Sequence, residues 1–510
     1  MKDLIIATRN YRKHLLSDPY RPTFHYAFPD DNGVPGDCNG AFFADGVYHM
    51  MHIYGNCDTH AFHWAHITST DLLHWRHHQD ALGSFEGDKG CFSGGGFIDD
   101  DKTAYITFWK FPSKKPDGDK GGIAIAYSKP PYEEWHRITP IAIEGLDGDK
   151  WGTADIEVDG EIKHLSCADP SNIWKADGYY YLQAGNKWVL DRYGLSELQD
   201  PNYQGDWTDL FRSKDLKKWE FVHRFYENTH KGEDWPDHTE DDMCPSFLPL
   251  YDAKENGNKT DKWLQLFISH NKGCQYYIGT LENEKFYPES HGRMTWNDTA
   301  YFAPEALIDD KNRHIMWTWL RDNMDNDFEK FGWSGVFSFP RLLWLEGDEL
   351  KMAPADELEN LEYNKFVPTI SDNNTIPVNN GEIFRLKAVI DIEAQEKSGF
   401  SVRVDKENSN KTEIYYDKKS QKLVFDATKS GSEGWTIKEE APLVINPNEP
   451  LSLDIFVDKS VVEVYANERQ AICRRIYPDN PQKAIGLELI GDKSSVKHIE
   501  ICDMSPTNPY

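Results

Sequence analysis

Along most of the chain, apolar and aromatic residues alternate with polar ones in short runs, with a period of two rather than 3.6. This pattern predicts strands, and turns rich in Asp, Gly and Asn separate them. The first complete example is Phe24–Tyr54. It contains Asp37-Cys38-Asn39-Gly40, then Phe42 and Phe43, then Val47, Tyr48, Met50, Met51, Ile53 and Tyr54 beyond Asp45-Gly46. Asp-Gly between two such runs is a strong hairpin signal, because Gly tolerates the positive φ of the turn. Asp37 therefore stands at the mouth of the hairpin, where a loop presents a side chain to a ligand. The same local residues also suit an Asx turn from Asp37 onto Asn39 and Gly40.

The strand–turn–strand cycle then returns. Phe92-Ser93-Gly94-Gly95-Gly96-Phe97 leads to Tyr105–Phe108, and Ala168-Asp169-Pro170 to Tyr179–Leu182. Met243-Cys244-Pro245-Ser246-Phe247 leads to Trp263–Ile268, and Ala300–Glu305 to His314–Trp319. The interval is roughly 55 to 80 residues, longer than the 40–50 of a usual propeller repeat, and long insertions between blades account for the excess. Five cycles predict a five-bladed β-propeller over 1–360, closed by Trp333–Arg341. The polar stretch 361–377, with Ser371-Asp372-Asn373-Asn374, reads as a linker. Alternating runs from Ile383 to Leu489 predict about seven strands, a β-sandwich over 378–510. The fold class is all-β with two domains, which agrees with a length of 510 residues, beyond the roughly 250–300 at which one core stops growing.

Composition narrows the ligand. A formal net charge of −29 with no basic block disfavours nucleic acid and anionic membrane, and favours a neutral small molecule. The 17 Trp, 25 Tyr and 26 Phe suit strands and the stacking of sugar rings. Eight scattered cysteines without metal-type spacing read as mostly buried thiols of a reducing compartment. The histidines of His60–His78 also lack metal spacing, since alternation sends His60 and His63 to opposite faces, so they read as structural or polar lining. Charges interrupt the apolar part of the first residues, so these do not form a signal peptide. The expectation is a cytoplasmic protein, secreted only if a leader precedes this sequence. No apolar run reaches the length of a membrane span.

From Arg21 onward the motifs together resemble glycoside hydrolase family 32, the invertase, inulinase and levanase family. Asp37-Cys38-Asn39-Gly40 stands where the family has Asp-Pro-Asn-Gly, and Ala168-Asp169-Pro170 where it has Arg-Asp-Pro. His66–Trp75, Phe92-Ser93-Gly94, Ser334–Arg341 and Leu453–Tyr465 match further pieces in the same order. The resemblance implies a propeller plus sandwich, retaining cleavage of β-fructofuranosides and no metal or other cofactor. It gives Asp37 as the nucleophile and Asp169 as the stabiliser of an oxocarbenium-like transition state. It also implies a substrate-binding set of Asn39, Trp64, Phe92, Ser93, Cys244 and Glu305.

Three departures stand out: Cys38 for Pro, Ala168 for Arg, and Met243 where the family's Glu-Cys-Pro carries its general acid. Three carboxylates compete for the acid role. Asp242 is one residue away and out of phase unless a bulge corrects it. Asp241 has the right phase but lies about 6.6 Å further along the strand. Glu305 stands alone in an apolar strand. The leading expectation is hydrolysis of sucrose or short imported fructans rather than polymer. Fructosyl transfer, a carbohydrate-binding protein without an acid, and a related arabinose- or xylose-directed glycosidase are the alternatives.

Overall fold

A computed structural model describes residues 1–28, 33–84, 90–112, 120–193, 206–227, 240–407 and 410–508. Over these residues the chain is all-β, with a helix at Lys2–Ser17 and a few short helical turns. Five antiparallel sheets follow one another. They begin with the strands Cys38–Ala44, Cys91–Phe92, Ala168–Pro170, Met243–Tyr251 and Tyr301–Ile308, and a ribbon of Thr153–Val158 and Glu161–Ser166 stands between the second and third. No described helix is long and apolar enough to cross a membrane.

The sheets meet through their inner strands. Cys38–Ala44 lies against Gly96–Ile98 on one side and Tyr301–Ile308 on the other. Ala168–Pro170 lies between Ala104–Lys110 and Met243–Tyr251, and the latter reaches Tyr301–Ile308, so the series returns to its start. Gly94-Gly95-Gly96 permits the tightest approach. A Cβ at Gly95 would stand 2.3 Å from the Asn172 nitrogen, and one at Gly96 2.4 Å from the Ala41 oxygen. The stretch Ser334–Arg341 closes the ring: the Phe337 amide donates to the Tyr26 carbonyl at 2.9 Å, and the Phe28 amide to that of Gly335 at 3.2 Å.

The register slips at the start of several inner strands. Shifts fall between Asn39 and Phe42, Ala168 and Pro170, Met243 and Ser246, and Phe302 and Glu305. At each, one residue has positive φ: Gly40, Asp169, Cys244 and Ala303. Such bulges bend a strand and re-aim its side chains. Here they decide which residues face the centre.

Beyond Pro354 the chain forms two six-stranded sheets that share one apolar core. These hold twelve strands, where alternation predicts about seven. The stretch 361–377 is not a linker. Glu362–Phe366 pairs with Val496–Met504, and Thr375–Ile376 pairs with Gly486–Ile490, so both ends belong to the sheets. The two halves of the molecule are joined by buried charge. Arg341 reaches Glu463 at 3.3 Å, and His25 lies 3.0 Å from Asp458 and 3.5 Å from Glu463. None of the eight cysteines is in a disulfide, and all but Cys57 are buried.

Candidate active site

A cavity of about 300 Å³ opens where the inner strands converge. Asp37 and Asp169 line it, with Cys244 between them: its thiol lies 3.5 Å from Oδ2 of Asp169 and 4.0 Å from Oδ2 of Asp37. The local sequence explains how Asp37 is held. Asn39 Nδ2 donates to the Asp37 carbonyl at 2.8 Å, while Asn39 Oδ1 accepts from the Gly94 amide at 2.9 Å. The Ser93 hydroxyl donates to Asp37 Oδ2 at 2.6 Å. Asn39 of the first sheet thus fixes the Asp37 backbone, and Ser93 of the second holds its carboxylate.

Burial raises the Asp37 carboxyl, and the Ser93 hydrogen bond and the charges of His270 and Arg321 oppose that rise. Asp169 is pushed up to about 7, by burial first and by the charge of Asp37 second. Ala168 contributes no cation beside it. Arg321 brings one into the cavity from the end of the fifth sheet, over the Phe302 ring at 5.0 Å. Its own charge is disfavoured by burial and favoured by Asp37.

Phe92 and Trp109 form one aromatic wall, with centroids 5.9 Å apart, and Phe302 and Trp319 form another at 6.2 Å. Oδ1 of Asp169 and the indole nitrogens of Trp109 and Trp319 are buried without a hydrogen-bond partner among the described residues. Buried polar groups are nearly always satisfied. Apolar walls on residues with orphan buried donors and acceptors suit a ligand that carries hydroxyls.

Several residues expected at the site stand elsewhere. Trp64 is fully buried in the core beside Phe108 and does not line the cavity. Asn39 acts through the backbone of Asp37 and Gly94, and does not line the cavity either. Asp242 is buried behind the wall, bonded to the Tyr226 hydroxyl. The bulge after Met243 turns Cys244, not Asp242, toward the cavity. Asp241 also lies behind the wall and accepts from the His270 backbone amide at 3.0 Å.

Glu305 is buried, as its apolar strand suggests, but its Oε1 accepts from the amides of Ala41 at 2.7 Å and Gly96 at 3.3 Å. Burial raises its carboxyl well above the ordinary range, against those two bonds. It joins three sheets rather than facing the cavity. Glu305→Ala leaves two buried amides without an acceptor, at about 1–3 kcal/mol each, whereas Glu305→Gln keeps an acceptor oxygen. The expected result is a loss of about 2–4 kcal/mol in denaturant unfolding for Ala and a clearly smaller loss for Gln. Equal stability of the two variants would contradict this placement.

Sequence reasoning did not single out His270 and Arg321. Each lies at the end of the second strand of its sheet, just after Lys259–Ser269 and His314–Leu320. Because those strands run toward the centre, the residue that leaves each one reaches the cavity.

Comparison with known proteins gives a consistent picture. The pattern described as the Glycosyl hydrolases family 32 N-terminal domain matches residues 28–354, and the family's C-terminal pattern matches 355–503. A levanase of Bacillus subtilis is 27% identical, over 94% of this chain and 69% of its own. The Arabidopsis thaliana protein named beta-fructofuranosidase, insoluble isoenzyme CWINV1, is 25% identical, over 92% of this chain and 87% of its own. The crystal structure of fructan 1-exohydrolase IIa from Cichorium intybus superposes with a TM-score of 0.76 at 19% identity, covering 96% of this chain and 98% of that one. At that identity the last likeness concerns the fold.

Proposed function

The chain belongs to glycosyl hydrolases family 32, and from that premise we propose that it is a retaining glycoside hydrolase that releases terminal β-D-fructofuranosyl units from sucrose or short fructans. On this reading the ring of five sheets is a five-bladed β-propeller and the two six-stranded sheets form a β-sandwich. One observation carries the chemistry: Asp37 and Asp169 share one small cavity, each beside the Cys244 thiol.

Asp37, aimed by Ser93, attacks the anomeric carbon as the bond to the leaving oxygen breaks. That oxygen takes up a proton, and water then displaces the fructosyl group from Asp37. Asp169, its Oδ1 unpartnered, accepts hydrogen bonds from ring hydroxyls that strengthen as positive charge develops. The aromatic walls and Arg321 bind and orient the sugar. Related relatives named levanase and beta-fructofuranosidase support the fructoside choice.

Incubation with sucrose, inulin and levan, with free fructose measured, tests this. Release of fructose from at least sucrose or the shorter chains is expected, and no release from any of the three would overturn the reading. Met243 at the cavity wall favours one other reading, a protein that binds fructosides without cleaving them. Binding of sucrose by calorimetry with no fructose released would establish that alternative.

A further inference from the structure

Hydrolysis of an unactivated fructoside needs a proton for the leaving oxygen, and the cavity offers few donors. Among the described residues that line it, the titratable side chains are Asp37, Asp169, Cys244, His270 and Arg321. Asp37 is taken as nucleophile. Arg321 does not give up its proton in a protein. Burial and the charges of Asp169 and Asp37 push the Cys244 thiol well above its ordinary range, so it is a poor donor. Asp169 is already assigned above to stabilising the charge that develops on the sugar ring.

His270 stands differently. Met243 pairs with Ile268 across the fourth sheet, and that register sets His270 opposite Asp241, one strand over from Met243. The Asp241 carboxylate accepts from the His270 backbone amide at 3.0 Å and lies 3.3 Å from its Nδ1. With Nδ1–H directed at Asp241, the other ring nitrogen, Nε2, is the one left to the cavity that His270 lines. The Phe302 ring, 5.7 Å away and nearly perpendicular, packs against the imidazole.

We propose that His270, oriented by Asp241, is the proton donor of this site and stands in for the carboxylic acid that Met243 cannot supply. This assignment rests on the fructosidase reading above. In the first step Asp37 forms a bond to the anomeric carbon, the glycosidic C–O bond breaks, and the Nε2 proton of the imidazolium passes to the departing oxygen. In the second, neutral His270 takes a proton from water, whose oxygen replaces Asp37 at the anomeric carbon. The imidazolium is restored and the Asp37 carboxylate is free again.

The charged groups around His270 are Asp241 from its own sheet, Asp169 and Asp37 from the third and first, and Arg321 from the fifth, which packs on the same Phe302 ring. Burial works against charge on the imidazole, but Asp241, then Asp169 and Asp37, outweigh it and raise its pKa above the usual value. That direction favours the protonated imidazole from which the first step draws its proton. Asp241 is a positioning residue.

The test compares wild type with His270→Gln and His270→Asn on sucrose and on an aryl fructoside, whose leaving group needs no proton. Wild type should cleave both. Each variant should lose about 100-fold or more in kcat/KM on sucrose and less than about tenfold in the aryl-fructoside bond-breaking step. Added azide should speed aryl-fructoside turnover by the variants and give fructosyl azide. The alkaline limb of the wild-type pH profile should vanish in the variants and shift in Asp241→Asn. Variants that retain sucrose activity, or that lose both substrates equally with an unchanged circular-dichroism melt, overturn the assignment. If both variants fail to fold, an intact alkaline limb in Asp241→Asn overturns it. A wild-type chain inert on both substrates overturns the fructosidase reading itself.

Discussion

Asp37→Asn is expected to lower kcat on any fructoside by about three orders of magnitude or more while leaving the thermal unfolding curve in place. The amide has nearly the same shape, so the Ser93 hydroxyl and the Asn39 clamp on the Asp37 carbonyl still have their partners. It lacks the anionic oxygen that must bond to the anomeric carbon. It also removes one of two neighbouring buried carboxylates, so Asp169, held near 7 partly by Asp37, should titrate at lower pH in the variant. Near-normal turnover with an unchanged melting curve would contradict the nucleophile assignment.

The second large effect is on stability. Glu463 is fully buried at the joint between the ring of sheets and the C-terminal sheets. It receives Arg341 at 3.3 Å, the Tyr465 hydroxyl at 2.5 Å and the Phe339 amide at 3.2 Å, and lies near His25. Glu463→Ala leaves the Arg341 guanidinium and His25 in the interior without this counter-charge. Breaking a buried pair this way costs about 3–5 kcal/mol. Glu463→Gln keeps hydrogen bonds but not charge, and should fall between wild type and Ala. A loss below about 1 kcal/mol for Glu463→Ala would show that the joint does not depend on this pair.

The same joint should shape acid stability. Burial alone would raise the Glu463 carboxyl, but hydrogen bonding to His25 and the charges of Arg341 and His25 outweigh it and bring it down to about 2. A carboxyl lowered in the folded state stabilises above its unfolded value of about 4.3. That contribution is lost as pH falls from there toward about 2. His25 is raised, so its share is full below about 6.5 and declines as pH rises through its folded pKa. Wild-type unfolding free energy should therefore fall more steeply than that of Glu463→Gln between pH 4 and 2, about 2–3 kcal/mol more by the linkage relation.

The chain's alternation announces its strands, and the Asp-containing turns announce where the inner strands begin, because both depend on residues near in sequence. The cycle starts that hold Asp37, Asp169 and Cys244 were legible for that reason, while the roles expected of these residues came from the family resemblance; all three line the cavity. His270 was not, since its place depends on the register that sets Met243 against Ile268, which no local pattern encodes. Arg321 escaped notice for the same reason. Glu305 shows the converse: its apolar neighbours correctly implied burial, but only the bulge between Phe302 and Glu305 fixes which way it turns. Trp64 sits in a strand buried on both faces, where aromatic character does not separate wall from core. Edge strands such as Lys438–Pro442 and Glu362–Phe366 carry charged residues and no clean alternation, so the polar start of the C-terminal sheets looked like a linker.

The central claim is that Asp37 carries the sugar between the two steps. Quenching the His270→Gln variant in acid during turnover of an aryl fructoside, then digesting it and weighing the peptides, tests this most directly. Slowed release of the intermediate should leave a fructosyl adduct on the peptide that contains Asp37, absent from Asp37→Asn. An adduct on a different peptide, or turnover with none on any peptide, would contradict the account.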